Sequence, residues 1–107
     1  MSADRTEALK QLLAADPRND FARFGLAMEY SKASRLEDAA REFASLIENN
    51  PDYWGAYFHY GQTLERLFRL DQARQVYEQG IQVAARMGQP HARSELEAAL
   101  DLINRSA

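Results

Sequence analysis

The sequence predicts an all-α fold, an array of about six helices in antiparallel pairs. Apolar residues recur at helical spacing along nearly the whole chain, and no segment alternates with the period of two that is typical of a strand. Single residues also return after 34 positions, so that Pro17 recurs as Pro51 and Ala39 as Ala73. A fixed period of this length is typical of a helical array, in which each unit buries its apolar face against the next.

Proline and one polar turn set the limits of the first three predicted helices, which span residues 4–14, 20–31 and 36–48. The first helix ends before Pro17, because proline disfavours a helical conformation at the residue that precedes it. The polar segment 32–35 separates the second helix from the third. Pro51, preceded by two asparagines, ends the third helix in the same way as Pro17 ends the first.

The last three predicted helices span residues 52–68, 70–86 and 90–104. The fourth and fifth carry the apolar pattern of the second and third, shifted by the 34-residue period. Gly88 interrupts the helical pattern before the sixth helix. Pro90 is well placed in the first turn of the sixth helix, where a backbone N–H has no intrahelical partner. The sixth helix carries Leu96 and Ile103 among its apolar residues, which predicts that it packs against the fifth.

Length and charge exclude several classes of function. At 107 residues the chain fits one domain with a modest core. Its net charge of -3 and its pI near 5.3 argue against a nucleic-acid or membrane-surface binder, which needs a basic excess. No apolar run approaches the roughly 20 residues that span a bilayer, and the N-terminus lacks the apolar core of a signal peptide. We therefore expect a cytoplasmic protein with no nucleic-acid and no membrane partner.

The residue types that carry chemistry do not form a recognisable motif. The chain has no cysteine, and its two histidines, His59 and His91, have no other histidine at metal-ligand spacing. The glycines are isolated, so no phosphate-binding loop is predicted, and no serine stands in a nucleophile motif. The sequence therefore predicts no enzyme activity, no catalytic residue, no metal and no cofactor. His59 is expected to be a structural or surface residue, and Glu95 is expected on the wet side of the sixth helix.

Two consecutive units of 34 residues place large and small residues in a specific order. The residues that carry the pattern in the first unit are Leu26, Ala27, Tyr30, Ala39, Phe43 and Pro51. Those in the second unit are Tyr57, Tyr60, Gly61, Ala73, Tyr77 and Gly80. In this order the units resemble the tetratricopeptide repeat, with departures at Arg23, Leu46 and Ala85. The small residues, Gly61 and Gly80 among them, are expected to let neighbouring helices approach closely.

The resemblance implies a right-handed α-α superhelix that forms a single domain over residues 1–107. Its expected parts are a half repeat over 4–17, a first repeat over 20–53, a second repeat over 54–87 and a capping helix over 90–104. One such repeat cannot bury its apolar face alone, so the sixth helix is expected to close the exposed end of the array. Members of the family act as protein–protein interaction scaffolds without catalysis, so the implied partner is another protein or a peptide segment.

Tetratricopeptide arrays bind peptides on a concave face, which is built from the first helix of each pair. The ligand-binding residues that this implies here are Phe21, Phe24, Met28, Tyr53, Phe58, Gln62 and Glu65. Most are apolar, and an exposed aromatic patch is typical of an interface. Some members clamp a terminal carboxylate with a lysine and an asparagine. The first repeat has Phe24 and Met28 at these positions, and the second has Phe58 and Gln62. The clamp is therefore missing, and an extended or helical apolar segment is the expected ligand.

Three alternatives are open for this apolar face. In the first, the chain assembles through it as a homo-oligomer, such as a homodimer. In the second, the groove carries a small ligand or a peptide. In the third, the capping helix folds across the face and buries it inside the protein. The molar mass in solution distinguishes the first alternative, and a ligand-induced thermal shift without a protein partner supports the second.

Four cations recur in register along one predicted edge of the array, and they are Lys32, Arg35, Arg66 and Arg69. Cations at helix C-termini complement the helix dipole, which gives this edge a structural explanation. The functional alternative is electrostatic steering of an acidic partner. A strong dependence of binding on salt would favour the second explanation.

Overall fold

The computed structural model describes residues 2–106, and the side chains of residues 5–106. It consists of six helices: α1 (Ser2–Ala15), α2 (Asp20–Lys32), α3 (Leu36–Asn49), α4 (Gly55–Arg66), α5 (Leu70–Arg86) and α6 (Pro90–Ser106). No strand occurs between residues 2 and 106. The all-α prediction is therefore confirmed. No helix in this range is long and apolar enough to cross a membrane.

The six helices form two layers. Each helix packs against the next one along the chain, as expected of antiparallel pairs. In addition, α4 contacts both α2 and α6, so these three helices lie side by side in one layer. The other helices, α1, α3 and α5, form the second layer. The face presented by α2, α4 and α6 is the face on which the sequence places the ligand-binding residues.

The fourth helix is shorter than the sequence predicts, because both of its ends are taken up by turns. It was expected over 52–68, but it begins at Gly55 and ends at Arg66. Before it, the backbone N–H of Tyr53 donates to the carbonyl of Asn50 at 3.1 Å, which closes a turn after α3. After it, Phe68 takes a left-handed conformation that stops the helix.

The helices α2, α4 and α5 end in the same kind of turn. Ser34, Phe68 and Gly88 all have positive φ, at 61°, 60° and 68°. The residue that follows each of them donates its N–H to a carbonyl five residues earlier, at 2.8, 2.9 and 2.8 Å. This is the Schellman motif, which satisfies carbonyls at a helix end that otherwise have no partner. Glycine is the residue best suited to this conformation, but only the third turn has one.

The core lies between the two layers, and two glycines allow the helices to approach closely. Tyr77, Phe43 and Leu96 are among its largest fully buried side chains. A Cβ added at Gly61 would lie 2.2 Å from Cε1 of Tyr77, and one added at Gly80 would lie 2.6 Å from a Tyr57 side-chain atom. Neither glycine could carry a methyl group without displacing its neighbour. The close packing that the sequence predicts at these two positions is confirmed.

Candidate functional site

A depression of about 270 Å³ lies on the face formed by α2, α4 and α6. Its lining is mostly apolar and comes from all three helices and the residue before α4: Phe24, Trp54, Gly55, Phe58, His59, Ala92, Glu95 and Leu96. We call it the central pocket. No close backbone contact joins α2 to α6 within residues 2–106, so the pocket remains open between them. The sixth helix therefore forms a wall of the pocket and does not fold across it.

Aromatic rings form a continuous row in the central pocket. The ring of His59 lies 5.8 Å from that of Phe24 and 5.6 Å from that of Phe58, in edge contacts. Phe24 is supported in turn by Tyr53, at 5.6 Å, and by the core residue Phe43, at 6.2 Å. Edge and tilted contacts at these distances are the preferred geometries of aromatic pairs. The row is thus held in place by the core while part of its surface remains accessible.

The structure brings only some of the predicted ligand-binding residues together. Phe24 and Phe58 line the central pocket, and Tyr53 packs against Phe24. Met28 and Gln62 lie one helical turn further along α2 and α4, outside the pocket lining. Phe21 begins the exposed side of α2, with 73% of its surface accessible.

Glu65, another predicted ligand-binding residue, has a partner inside the protein. The hydroxyl of Tyr77 donates to its Oε2 at 2.5 Å, which links α5 to α4. Burial raises the pKa of Tyr77 well above its ordinary value of 10.0, and the hydrogen bond to the Glu65 carboxylate raises this pKa further. Tyr77 is therefore a neutral donor across the physiological range, and this carboxylate takes part in packing the second repeat.

A second depression, of about 360 Å³, adjoins the central pocket. Trp54 and Gly55 line both, so the two form one continuous groove across the start of α4. The additional lining residues are Asn50, Asp52, Tyr53 and Met87. Trp54 has 37% and Met87 41% of its surface accessible, so this part of the groove offers apolar contact area. We call the two depressions together the concave groove.

Sequence reasoning missed part of the pocket lining. It did not include Trp54 among the ligand-binding residues, and it expected His59 in a structural or surface role. It expected Glu95 on the wet side of α6, where Glu95 is indeed half-exposed. A signal was nevertheless present, because Phe24, Phe58 and Ala92 are spaced by 34 residues. The period therefore extends into α6, which occupies the place of the first helix of a third pair.

His59 is the titratable group at the centre of the row. Burial lowers its pKa below the ordinary value of 6.5, and the nearby carboxylate of Glu95 opposes this shift. The imidazole is therefore neutral at pH 7. Glu95 is half-exposed and, among the side chains of residues 5–106, is the one charged side chain in the pocket lining. Across residues 2–106 no three potential metal ligands cluster together.

Two of the four cations predicted along one edge join the repeats to each other. Arg66 donates to the backbone oxygen of Ser31 and to the hydroxyl of Ser34, both at 3.3 Å. Arg69 forms an ion pair with Glu37. Arg66 is the last residue of α4, and Arg69 lies in the turn that follows it. Their partners lie at the end of α2, in the turn after α2 and at the start of α3. These contacts hold the turn after α4 against the equivalent turn after α2, as expected of stacked repeats.

The other two cations have local partners. Arg35 pairs with Asp38 at 2.7 Å, and its guanidinium lies 4.7 Å from the ring centroid of Tyr30. Lys32 lies 3.5 Å from the buried carboxylate of Glu29. All four cations thus have structural partners, which favours the structural explanation of this edge. Steering of an acidic partner stays a prediction.

A larger depression, of about 500 Å³, lies on the opposite layer, between α3 and α5. Tyr57, Tyr60 and Val83 form its apolar part, and glutamines and ionic residues surround them. The Tyr57 hydroxyl is already used, since it donates to the carbonyl of Pro51 at 2.6 Å. None of the predicted site residues lines this depression.

Comparison with known proteins gives a consistent result. No model of a protein family matches the sequence. A TPR repeat-containing protein of Pseudomonas aeruginosa is 32% identical over 100 residues, which cover 94% of this chain and 95% of that protein. The crystal structure of a tetratricopeptide repeat domain protein from Salinibacter ruber is 40% identical, with a TM-score of 0.77 over 80% of this chain and 96% of that one.

A third similar protein has been solved with a ligand. It is the first TPR of Spaghetti bound to the HSP90 peptide SRMEEVD, with a TM-score of 0.82 over 94% of this chain and 75% of that one. At 21% identity this similarity concerns the fold.

Proposed function

Because this chain belongs to the tetratricopeptide repeat family, we propose that it is a protein-interaction module that binds a segment of another protein in the concave groove. The observation that carries the proposal is the row of Phe24, His59 and Phe58. It is fixed by the core on one side and accessible on the other. Binding would require no reorganisation of these rings, which limits its entropic cost. The proposal includes no catalytic step.

The aromatic row favours an apolar segment as the ligand. Aromatic side chains provide a large contact area at low entropic cost and dominate binding hot spots. The HSP90 peptide that the Spaghetti domain binds has three acidic residues among seven. An acidic peptide of that kind needs cations in the groove, and the clamp positions here hold Phe24 and Met28, then Phe58 and Gln62. The segment proposed for this chain is therefore different in chemistry from the HSP90 peptide.

The proposal is tested with peptides selected from a random display library on the full chain. Replacing Phe58 by alanine removes one end of the row, so we expect it to weaken binding of a selected peptide by about 1–3 kcal/mol, the scale of a hot spot. This corresponds to roughly 5- to 150-fold in Kd, measured by isothermal titration calorimetry. Phe68→Ala is the matched control, since Phe68 is 87% exposed and lies outside the groove.

A second variant keeps this test informative if Phe58→Ala disturbs the fold. Gly55 lines both depressions, and a Cβ added there meets no atom within 4 Å. Gly55→Gln therefore places a side chain in the groove with its Cβ clear of neighbouring atoms, and its circular dichroism spectrum and melting temperature should match those of the wild type. Peptides that bind this variant as tightly as the wild type would place the binding site elsewhere.

Self-association through the same groove is the competing use of these residues. Light scattering after size exclusion, over a hundredfold range of concentration, distinguishes self-association from a groove that is free to bind a partner. A constant mass near 12.2 kDa leaves the groove free for a partner. A mass near twice that value, returned to the monomer by Gly55→Gln, would assign the groove to a homodimer.

A further inference from the structure

We propose that the central pocket receives a lysine or arginine side chain, so that the partner segment carries a basic residue next to an apolar one. This inference rests on the proposed function, because it specifies the ligand of the same groove. The geometry that points to it is a half-exposed glutamate in the lining of a pocket that is otherwise mostly aromatic. Glu95 lines the pocket together with Phe24, Trp54, Phe58 and His59.

The rings attract a cation more strongly than they attract an anion. The face of an aromatic ring carries partial negative charge, and a lysine or arginine within about 6 Å of its centroid is stabilised. Phe24, Trp54 and Phe58 all border the same space of about 270 Å³. A long aliphatic stem with a charged end suits such a pocket, because the stem contacts the rings while the end remains close to a carboxylate.

Glu95 provides the opposite charge at this pocket. Glu95 lies in the pocket lining beside His59, and its charge opposes the lowering of the His59 pKa that burial causes. His59 itself is neutral at pH 7, because burial lowers its pKa, so it does not repel an incoming cation.

The arginines near this end of the groove are paired with other carboxylates. Arg93, on the same helix as Glu95, lies 3.2 Å from Glu97, and Arg86 pairs with Asp52. Among the described side chains, Glu95 has one potential charged neighbour, the exposed His91 at 3.6 Å, and that contact is an ion pair only when the imidazole is protonated. A partner cation would therefore not have to displace an arginine of this chain.

The adjoining depression determines what stands beside the basic residue. Tyr53, Trp54 and Met87 line it, and their side chains offer aromatic and thioether surface. Its charged lining residue, Asp52, is already paired with Arg86. A segment that enters the central pocket with its basic side chain therefore places an apolar neighbour against Trp54.

The inference is tested with the display library already described, by sequencing the peptides selected on the wild-type chain. We expect lysine or arginine to be enriched at one position. Replacing that residue by norleucine, which keeps the aliphatic stem, should raise Kd roughly tenfold in calorimetry, the scale of a partly desolvated cation–π and carboxylate contact. Glu95→Gln should raise Kd for the basic peptide by a similar factor but leave Kd for the norleucine peptide unchanged.

Glu97→Gln is the matched control. It removes the same charge from the same helix, but Glu97 does not line the pocket. An equal loss in this variant would mean that net charge alone is sensed, and the inference would be wrong. Peptides that depend on Gly55 and Phe58 but show no basic preference would overturn this inference and leave the proposed function standing. If no peptide is selected, or if those selected ignore both residues, the proposed function fails as well.

Discussion

The two repeats of this chain are both antiparallel helix pairs, but they reach their packing by different side chains. In the first repeat, Ala27 on α2 is the counterpart of Gly61 on α4, and Phe43 on α3 is the counterpart of Tyr77 on α5. All four are buried. The larger ring is thus combined with the smaller residue. What repeats every 34 residues is therefore the space available to a pair of helices, and each repeat divides that space in its own way.

The hydroxyl of Tyr77 explains why the second repeat needs a glycine. Glu65 lies four residues after Gly61, so both stand on the same face of α4. The hydrogen bond from Tyr77 to Glu65 holds the tyrosine ring across Gly61. Phe43 has no hydroxyl, and the residue in the place of Glu65 is Ser31. The first repeat is thereby free to carry an alanine at the equivalent position.

The largest effect on stability is expected when Gly61, which packs against Tyr77, is replaced by a larger residue. The added methyl group of Gly61→Ala would lie 2.2 Å from a buried ring, and Tyr77 has no accessible surface into which to move. We expect a loss of about 2 kcal/mol in the free energy of unfolding, since an overpacking cost of about 3 kcal/mol outweighs the gain of about 1 kcal/mol in helix propensity. Urea denaturation measures this loss.

Two variants serve as controls for Gly61→Ala. Gly55→Ala adds the same methyl group in open space at the start of α4, so it should be neutral or stabilise the protein by at most about 1 kcal/mol. Ala27→Gly makes the reverse change in the first repeat and should cost about 1 kcal/mol. If Gly61→Ala were as stable as the wild type, the difference between the two repeats would not be one of packing.

An intermediate effect is expected when the hydroxyl of Tyr77 is removed. Tyr77→Phe makes the second repeat resemble the first and deletes one hydrogen bond to a carboxylate, so we expect it to destabilise the protein by about 1–2 kcal/mol. Glu65→Gln keeps an acceptor for the hydroxyl, and its loss in urea denaturation should be smaller. Equal stability of Tyr77→Phe and wild type would show that the ring is positioned by packing alone.

The smallest effect is expected at the turns, and it is stabilising. Phe68 is a bulky residue in the left-handed region, where a Cβ is disfavoured by roughly 1–2 kcal/mol. Phe68→Gly relieves this strain but adds conformational freedom to the unfolded chain, so we expect a net gain of about 0.5–1 kcal/mol. Thermal unfolding followed by circular dichroism should show a higher melting temperature.

Ser34→Gly is the corresponding change in the first repeat, where φ is 61°, but it also removes the hydroxyl that accepts a hydrogen bond from Arg66. Its gain should be no larger than that of Phe68→Gly. A lower melting temperature for Phe68→Gly would mean that the exposed ring contributes to the native state in a way that its accessibility does not indicate.

Much of the fold could be predicted from the sequence, because helices and their ends depend on local residues. The fifth helix was predicted over 70–86 and is observed as Leu70–Arg86. The fourth helix was predicted to begin three residues too early and to end two residues too late. The Schellman turn at Phe68 contains no glycine, so the sequence gives no signal for it. The turn before Gly55 forms because the backbone and side-chain oxygens of Asn50 accept hydrogen bonds from the residues that follow it.

The site was less predictable, because its walls come from segments far apart in the chain. The repeat pattern identified Phe24 and Phe58, which both line the central pocket. It did not identify His59 or Glu95, since a histidine between aromatic residues and a glutamate on an amphipathic helix have no distinctive local pattern. The pattern also placed Glu65 among the ligand-binding residues, but it could not reveal the hydroxyl of Tyr77 that reaches its carboxylate.

The sequence by itself determined six helices, their antiparallel pairing and the small residues at which they approach, because helix propensity, periodicity and side-chain volume act within or between adjacent elements. Only the tertiary structure decided that an open groove remains between α6 and α2 and that Glu95 lines it together with aromatic residues. These features depend on how helix axes stack over more than 30 residues of chain. Such packing results from the combined fit of many side chains, and no local pattern encodes it.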